Sequence, residues 1–137
     1  MNFNDNGTVS FQIGAKTYTL KVPTIGQIAE FEDLEQTLRQ DAIDQLSTWN
    51  DELESADEGE QERIQGEIGN RNYAFTAINE PWLRKSFEAF GSDPLPGDLS
   101  DAPADLTSPS LLPSIIRHWR SDPLARSRRR QGRSSLN

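Results

Sequence analysis

VSFQIGAKTYTLKVPTIGQIAEFE, residues 9–32, carries two residue patterns in succession, and the switch between them decides the fold. Val9, Phe11 and Ile13 alternate with Ser10 and Gln12, and Tyr18, Leu20 and Val22 alternate with Thr17, Thr19 and Lys21. A period of two puts each apolar set on one face of a strand. Gly14-Ala15 sits between the runs and suits a type II′ hairpin turn, whose first central position needs a positive φ. A lone hairpin with one apolar face is marginal in water, so it must pack on something. Pro23 lacks an N–H and ends the ladder. Thr24 then predicts a helix cap, completed as a capping box by Gln27 three residues on. Ile25, Ile28, Phe31, Leu34 and Leu38 follow at spacings of three and four, a single helical stripe that can cover the hairpin.

Further along, Ala42, Ile43, Leu46, Trp49 and Leu53 predict helix from Gln40 to about residue 56, opened at Asp41 or continued from the first with a bend. The acidic stretch Asp51 to Glu60 is expected to break at Gly59. A third helix is expected over residues 60–78 on Ile64, Ile68, Phe75 and Ile78, weakened at Gly66 and Gly69 by up to about 1 kcal/mol each. Asn79-Glu80-Pro81 predicts an interruption, with Pro81 in the first turn of a helix carrying Trp82, Leu83, Phe87 and Phe90. Residues 92–109, SDPLPGDLSDAPADLTSP, have no periodic stripe and read as a linker or extended arm. A short last helix over about 111–120 carries Leu112, Ile115, Ile116 and Trp119. The fold class is therefore α+β, an N-terminal β-hairpin packed on a bundle of about four to five helices. The expected divisions are a body over 1–91, a Pro/Asp-rich linker over 92–110, a helix over 111–121 and a disordered Arg-rich tail over 122–137.

Charge is divided just as unevenly. The 137 residues carry a net charge of −8. Residues 1–116 hold 7 Lys and Arg against 21 Asp and Glu, a net of −14, whereas residues 117–137 hold 7 Arg against Asp122 alone. An acidic body argues against nucleic-acid binding, which needs concentrated positive charge. Only the tail suits phosphate contacts, an acidic partner or a solubilising terminus, and no aromatic residue follows Trp119 to stack on a base. No apolar run approaches the roughly 20 residues that span a bilayer, and Met1 to Asp5 has neither half of a secretory signal. With no cysteine, disulfides and thiolate metal sites are excluded.

Catalytic signatures are missing from the sequence. His118 is the only histidine, set among Arg117 and Arg120, so a histidine metal pair or an HExxH helix cannot form. Residues 54–65, aligned as an EF-hand with Gly59 at the turn, place Ala56 and Gln65 where ligands belong; a solvated helix end accounts for the acids better. No catalytic, metal or cofactor residue is assigned. Trp49, Trp82 and Trp119 each fall on an amphipathic stripe, for which core burial is the first explanation. Trp119, beyond the proline-rich stretch, is the best interface candidate, with Phe87 and Phe90 beside it as candidate partner-binding residues.

Thr17-Tyr18-Thr19-Leu20-Lys21-Val22-Pro23-Thr24-Ile25-Gly26-Gln27-Ile28 with Phe31-Glu32 resembles the start of tail assembly chaperones of long-tailed (siphovirus-type) bacteriophages and prophages. Ile115-Ile116-Arg117-His118-Trp119-Arg120-Ser121-Asp122-Pro123-Leu124 resembles the closing helix of the same family, and Trp82-Leu83-Arg84 before a Pro/Asp stretch matches more loosely. The resemblance implies a non-catalytic role without cofactor. It implies binding to the tape-measure protein, recruitment of tail-tube subunits, and location in the host cytoplasm and not in the mature virion. A structural tail or head–tail joining protein is the alternative, and a small regulatory or nucleic-acid-binding protein acting through the Arg-rich tail is the second.

Overall fold

The computed structural model describes residues 1–70 and 72–121. The Arg-rich stretch 122–137, expected to be disordered, lies outside the described residues. The architecture is α+β. Strands β1 (Asn2–Phe3), β2 (Val9–Ile13) and β3 (Lys16–Leu20) form an antiparallel sheet in sequence order. Helices α1 (Ile25–Ser55), α2 (Glu58–Ile68), α3 (Glu80–Phe90) and α4 (Leu111–Arg120) follow, with a π-helical turn over Phe75–Asn79 and a 3-10 turn over Ala104–Thr107.

The expected hairpin is present. Phe11 faces Tyr18 and Ile13 faces Lys16 across the turn, and Gly14 supplies the positive φ of +61°. Val9, Phe11, Tyr18 and Leu20 are buried. Val22, expected on the same face, lies beyond β3 and is exposed. β1 adds a strand that two residues could not announce, pairing Phe3 with Val9. The outer edge of β3 is closed by the end of α3: Lys21 N–H donates to Phe90 C=O at 3.0 Å, and Ser92 N–H to Thr19 C=O at 2.7 Å. This seam needs glycine at 91, because a Cβ there would stand 2.6 Å from the Phe87 carbonyl oxygen. Gly91→Ala is therefore expected to cost about 1–3 kcal/mol, as overpacking does. Urea unfolding checks it; an unchanged midpoint would show that the seam yields freely.

The capping box at Thr24 forms as expected: Gln27 N–H donates to Thr24 Oγ1 at 3.1 Å, and Thr24 N–H to Gln27 Oε1 at 2.9 Å. From there α1 runs unbroken for 31 residues, so Asp41 does not open a new helix. Side-chain pairs four apart support the region of continuity, Arg39 to Glu35 at 2.7 Å and Gln40 to Asp44 at 2.9 Å. The acidic run then turns at Ala56-Asp57, with Gly59 inside α2. Asp57 wins as the boundary because its carboxylate caps α2, accepting from Glu60 N–H at 2.9 Å. Gln61 Nε2 caps the end of α1 by donating to Ala56 C=O at 3.1 Å.

The helix expected over 60–78 ends instead at Ile68, where Gly69 is the C-cap. No interruption occurs at Asn79-Glu80-Pro81: the π turn runs directly into α3. Pro81 has no N–H for the carbonyl four residues back, and the preceding turn is wound wider, Glu80 N–H donating to Phe75 C=O. The proline-rich stretch is not a free linker. It packs Leu95 and Leu106 into the core. Arg84 donates to the carbonyls of Pro96 at 2.9 Å and Gly97 at 3.2 Å, and Asn79 donates to those of Leu106 and Ser108.

Burial divides into two parts. The main cluster joins the sheet, Phe31, the apolar face of α3, Leu95, Leu106 and the inner face of α4. Ala42 and Ile64 are buried outside it, where α1 meets α2, with Tyr73 donating to Ala42 C=O at 3.1 Å and stacking obliquely on Trp49. Burial pushes the Tyr73 phenol up from its ordinary value.

Candidate functional site

The three expected partner-binding residues are brought together, but in the interior. Trp119, Phe87 and Phe90 are 0%, 2% and 9% exposed. The Trp119 ring stacks on Trp82 at 5.5 Å and meets Phe90 at 5.6 Å, while Phe87 packs edge-on to Phe11 at 5.5 Å. α4 folds back onto the body because Leu112, Ile115 and Trp119 form one strongly apolar face that has the sheet and α3 to cover. None of the three offers surface to a partner; they are core residues. Trp119→Ala would therefore act on any binding activity through stability. His118 is half-buried, its ring edge-on to Phe3 at 5.2 Å. Among the described residues no group of three His, Asp or Glu is placed to hold a metal ion.

What the molecule does present is helical surface of two kinds. Residues 41–68, the far half of α1 with α2, carry ten acidic side chains against Arg63. Ion pairing with Glu60 at 3.1 Å raises the Arg63 pKa, and the rest of this arm is free to repel like-charged neighbours. The second surface is a crevice of about 380 Å³ between α1 and α4. Half-buried Pro113 and Ile116 line it, with Glu32, Glu35 and Arg39 from α1 and Arg117 and Arg120 from α4. Glu35 is 6% exposed, an acid on the inward stripe of α1, and Arg39 neutralises it at 2.7 Å. Arg120 pairs with Glu32, whose hydrogen bond and negative charge raise the arginine's pKa further. Arg117 is exposed and makes no ion pair among the described residues.

This crevice is not among the sites expected from the sequence. The available signal was the outward register of Arg117 and Arg120 on a helix whose inner face is Leu112, Ile115 and Trp119. Nothing local could reveal that α1 would lie beside it. A second hollow, of about 520 Å³, lies between the π turn and the proline-rich stretch, lined by Phe75, Thr76, Leu99, Pro103 and Leu106 among others. No protein-family model, curated protein or solved structure matches the chain.

Proposed function

We propose that this protein is a tail assembly chaperone of a long-tailed bacteriophage or prophage. It binds the tape-measure protein, keeps it soluble and helps recruit tail-tube subunits while the virion is built. The reading rests on the paired resemblance of residues 17–32 and 115–124 to the two ends of that family. The described parts of these stretches are also neighbours in space. Leu20, Phe31, Ile115 and Trp119 share the main cluster, and Arg120 pairs with Glu32 across them. A motif pair separated by most of the chain but joined in one core is what a single inherited domain would retain.

The surface suits the task. Acidic helices on a body of net negative charge keep a complex with an apolar client from self-associating. No helix among the described residues is long and apolar enough to cross a membrane.

Co-expression with the tape-measure protein of the same genome tests the proposal. The expected result is that the client moves from the insoluble to the soluble fraction and co-purifies with the chaperone. A client that stays insoluble, or is equally soluble alone, would sink the idea. Mass spectrometry of purified particles separates the alternative, since a structural tail or head–tail joining protein would persist in them.

A further inference from the structure

We infer that the crevice between α1 and α4 is a docking groove for an amphipathic helix bearing carboxylates. Three observations carry this. First, α1 presents Ile25, 84% exposed, and Ile43, 52% exposed, on one line. Their separation of 18 residues is five turns of a helix with 3.6 residues per turn, and Glu32 and Gln36 of the crevice lie between them on the same face. Isoleucine at both ends of an otherwise polar helix face is unpartnered apolar surface at either side of a hollow.

Second, the hollow lies between two helices, with Pro113 and Ile116 as its apolar lining, and a depression between helices can receive a third. Arg120, in the last turn of α4, pairs with Glu32 of α1 at the same crevice. Third, the charge is opposite to that of the body. Glu32 and Glu35 are already committed to Arg120 and Arg39, so the uncommitted charge at the rim is the cation of Arg117. Arg117 also lines the adjoining hollow of about 280 Å³ beside Phe3 and His118, so it stands between two partly apolar depressions. A helix with leucines at i, i+4, i+7 and i+11 and glutamates at the flanks would set its apolar stripe against Ile116 and Ile43 and a carboxylate against Arg117. A basic helix would meet a cation where it most needs an acid.

As the client surface of a tail assembly chaperone, this assignment rests on the reading above; as a helix-binding groove it can be tested without it. The probe is a fluorescein-labelled peptide of about 20 residues with that leucine spacing and glutamate flanks, titrated with the full chain by fluorescence anisotropy. Its twin has lysines in place of the glutamates. Since the protein is acidic as a whole, non-specific attraction favours the lysine peptide; the groove requires the reverse order. Arg117→Glu and Ile43→Asp should each weaken binding of the glutamate peptide by about tenfold or more, while Glu58→Gln, on α2, leaves it unchanged. Both substitutions are at the surface, and an unaltered thermal melt confirms that the fold is kept. Absence of binding, tighter binding of the lysine peptide, or wild-type affinity in both variants overturns the assignment. None of those results bears on whether the tape-measure protein is rescued in co-expression. Rescue that survives both substitutions would keep the function and move the client elsewhere.

Discussion

Trp82→Ala should remove about 3–5 kcal/mol of stability, the range for emptying a buried tryptophan site. Against a typical total of about 5–15 kcal/mol, that leaves much of the population unfolded at moderate temperature. Trp82 is fully buried, its ring packed edge-on to Phe31 at 5.7 Å and stacked on Trp119. Its Nε1–H donates to the Phe31 carbonyl at 2.8 Å, tying α3 to α1. Trp119 is equally buried, yet its Nε1 has no partner among the described residues. Phenylalanine substitutions separate packing from hydrogen bonding. Both lose similar volume, but only Trp82→Phe breaks a buried bond, with a net loss of about 1 kcal/mol. Urea midpoints should therefore fall further for Trp82→Phe than for Trp119→Phe. The opposite order would mean that the Trp119 N–H contributes more than the Trp82 bond does.

Asn79 is the second position where a single change should do large damage. It is 3% exposed, and its amide donates to Leu106 C=O at 2.8 Å and Ser108 C=O at 2.9 Å. Those two bonds pin the proline-rich stretch to the start of α3. Asn79→Ala removes both bonds; Ser108 C=O keeps Leu111 N–H at 3.2 Å, but Leu106 C=O loses its buried donor, and the change is expected to cost about 1–3 kcal/mol. Asn79→Asp is the sharper variant, because a carboxylate would face two carbonyl oxygens with no proton to give. Burial raises the folded-state pKa of the introduced carboxyl above its unfolded value of about 3.9, so the protonated form, which can donate, is the tolerated one. The sign follows from linkage: the variant is least impaired below that pH and loses stability as pH rises through the raised folded-state pKa. Chemical denaturation at pH 4 and pH 7, each referred to wild type, checks it. A deficit that is the same at both values would show that the side chain escapes to solvent.

The elements legible in the sequence are those whose cause is local. Gly14 supplies its own turn, Thr24 and Gln27 cap each other, and the alternation over residues 9–20 needs only its own period. The continuity of α1 was present in the spacing of Leu38, Ala42, Leu46, Trp49 and Leu53, but Asp41 competes as a helix-start signal. Residues 92–110 read as a linker in the sequence because Leu95 and Leu106 are buried by tertiary contacts that leave no period. The candidate site residues were the weakest inference for a physical reason. Aromatics on an amphipathic helix have the same pattern whether the helix covers its own core or a partner. Trp119, Phe87 and Phe90 cover the core. Exposed Ile25 and Ile43 sit within an apolar stripe in the sequence, and only the packed structure shows which edge of that stripe remains uncovered.

The unbroken length of α1 has a mechanical consequence. The same rod forms part of the main cluster near Phe31 and of the smaller one near Ala42, with no glycine or proline between them. Backbone hydrogen bonding therefore transmits orientation from one to the other, and the acidic arm points in a direction fixed by the body. It cannot swivel there without breaking successive turns. The far corner at Ala56-Asp57 is held by the Asp57 and Gln61 cap side chains, so local opening of the arm is expected to begin there and travel inward along α1.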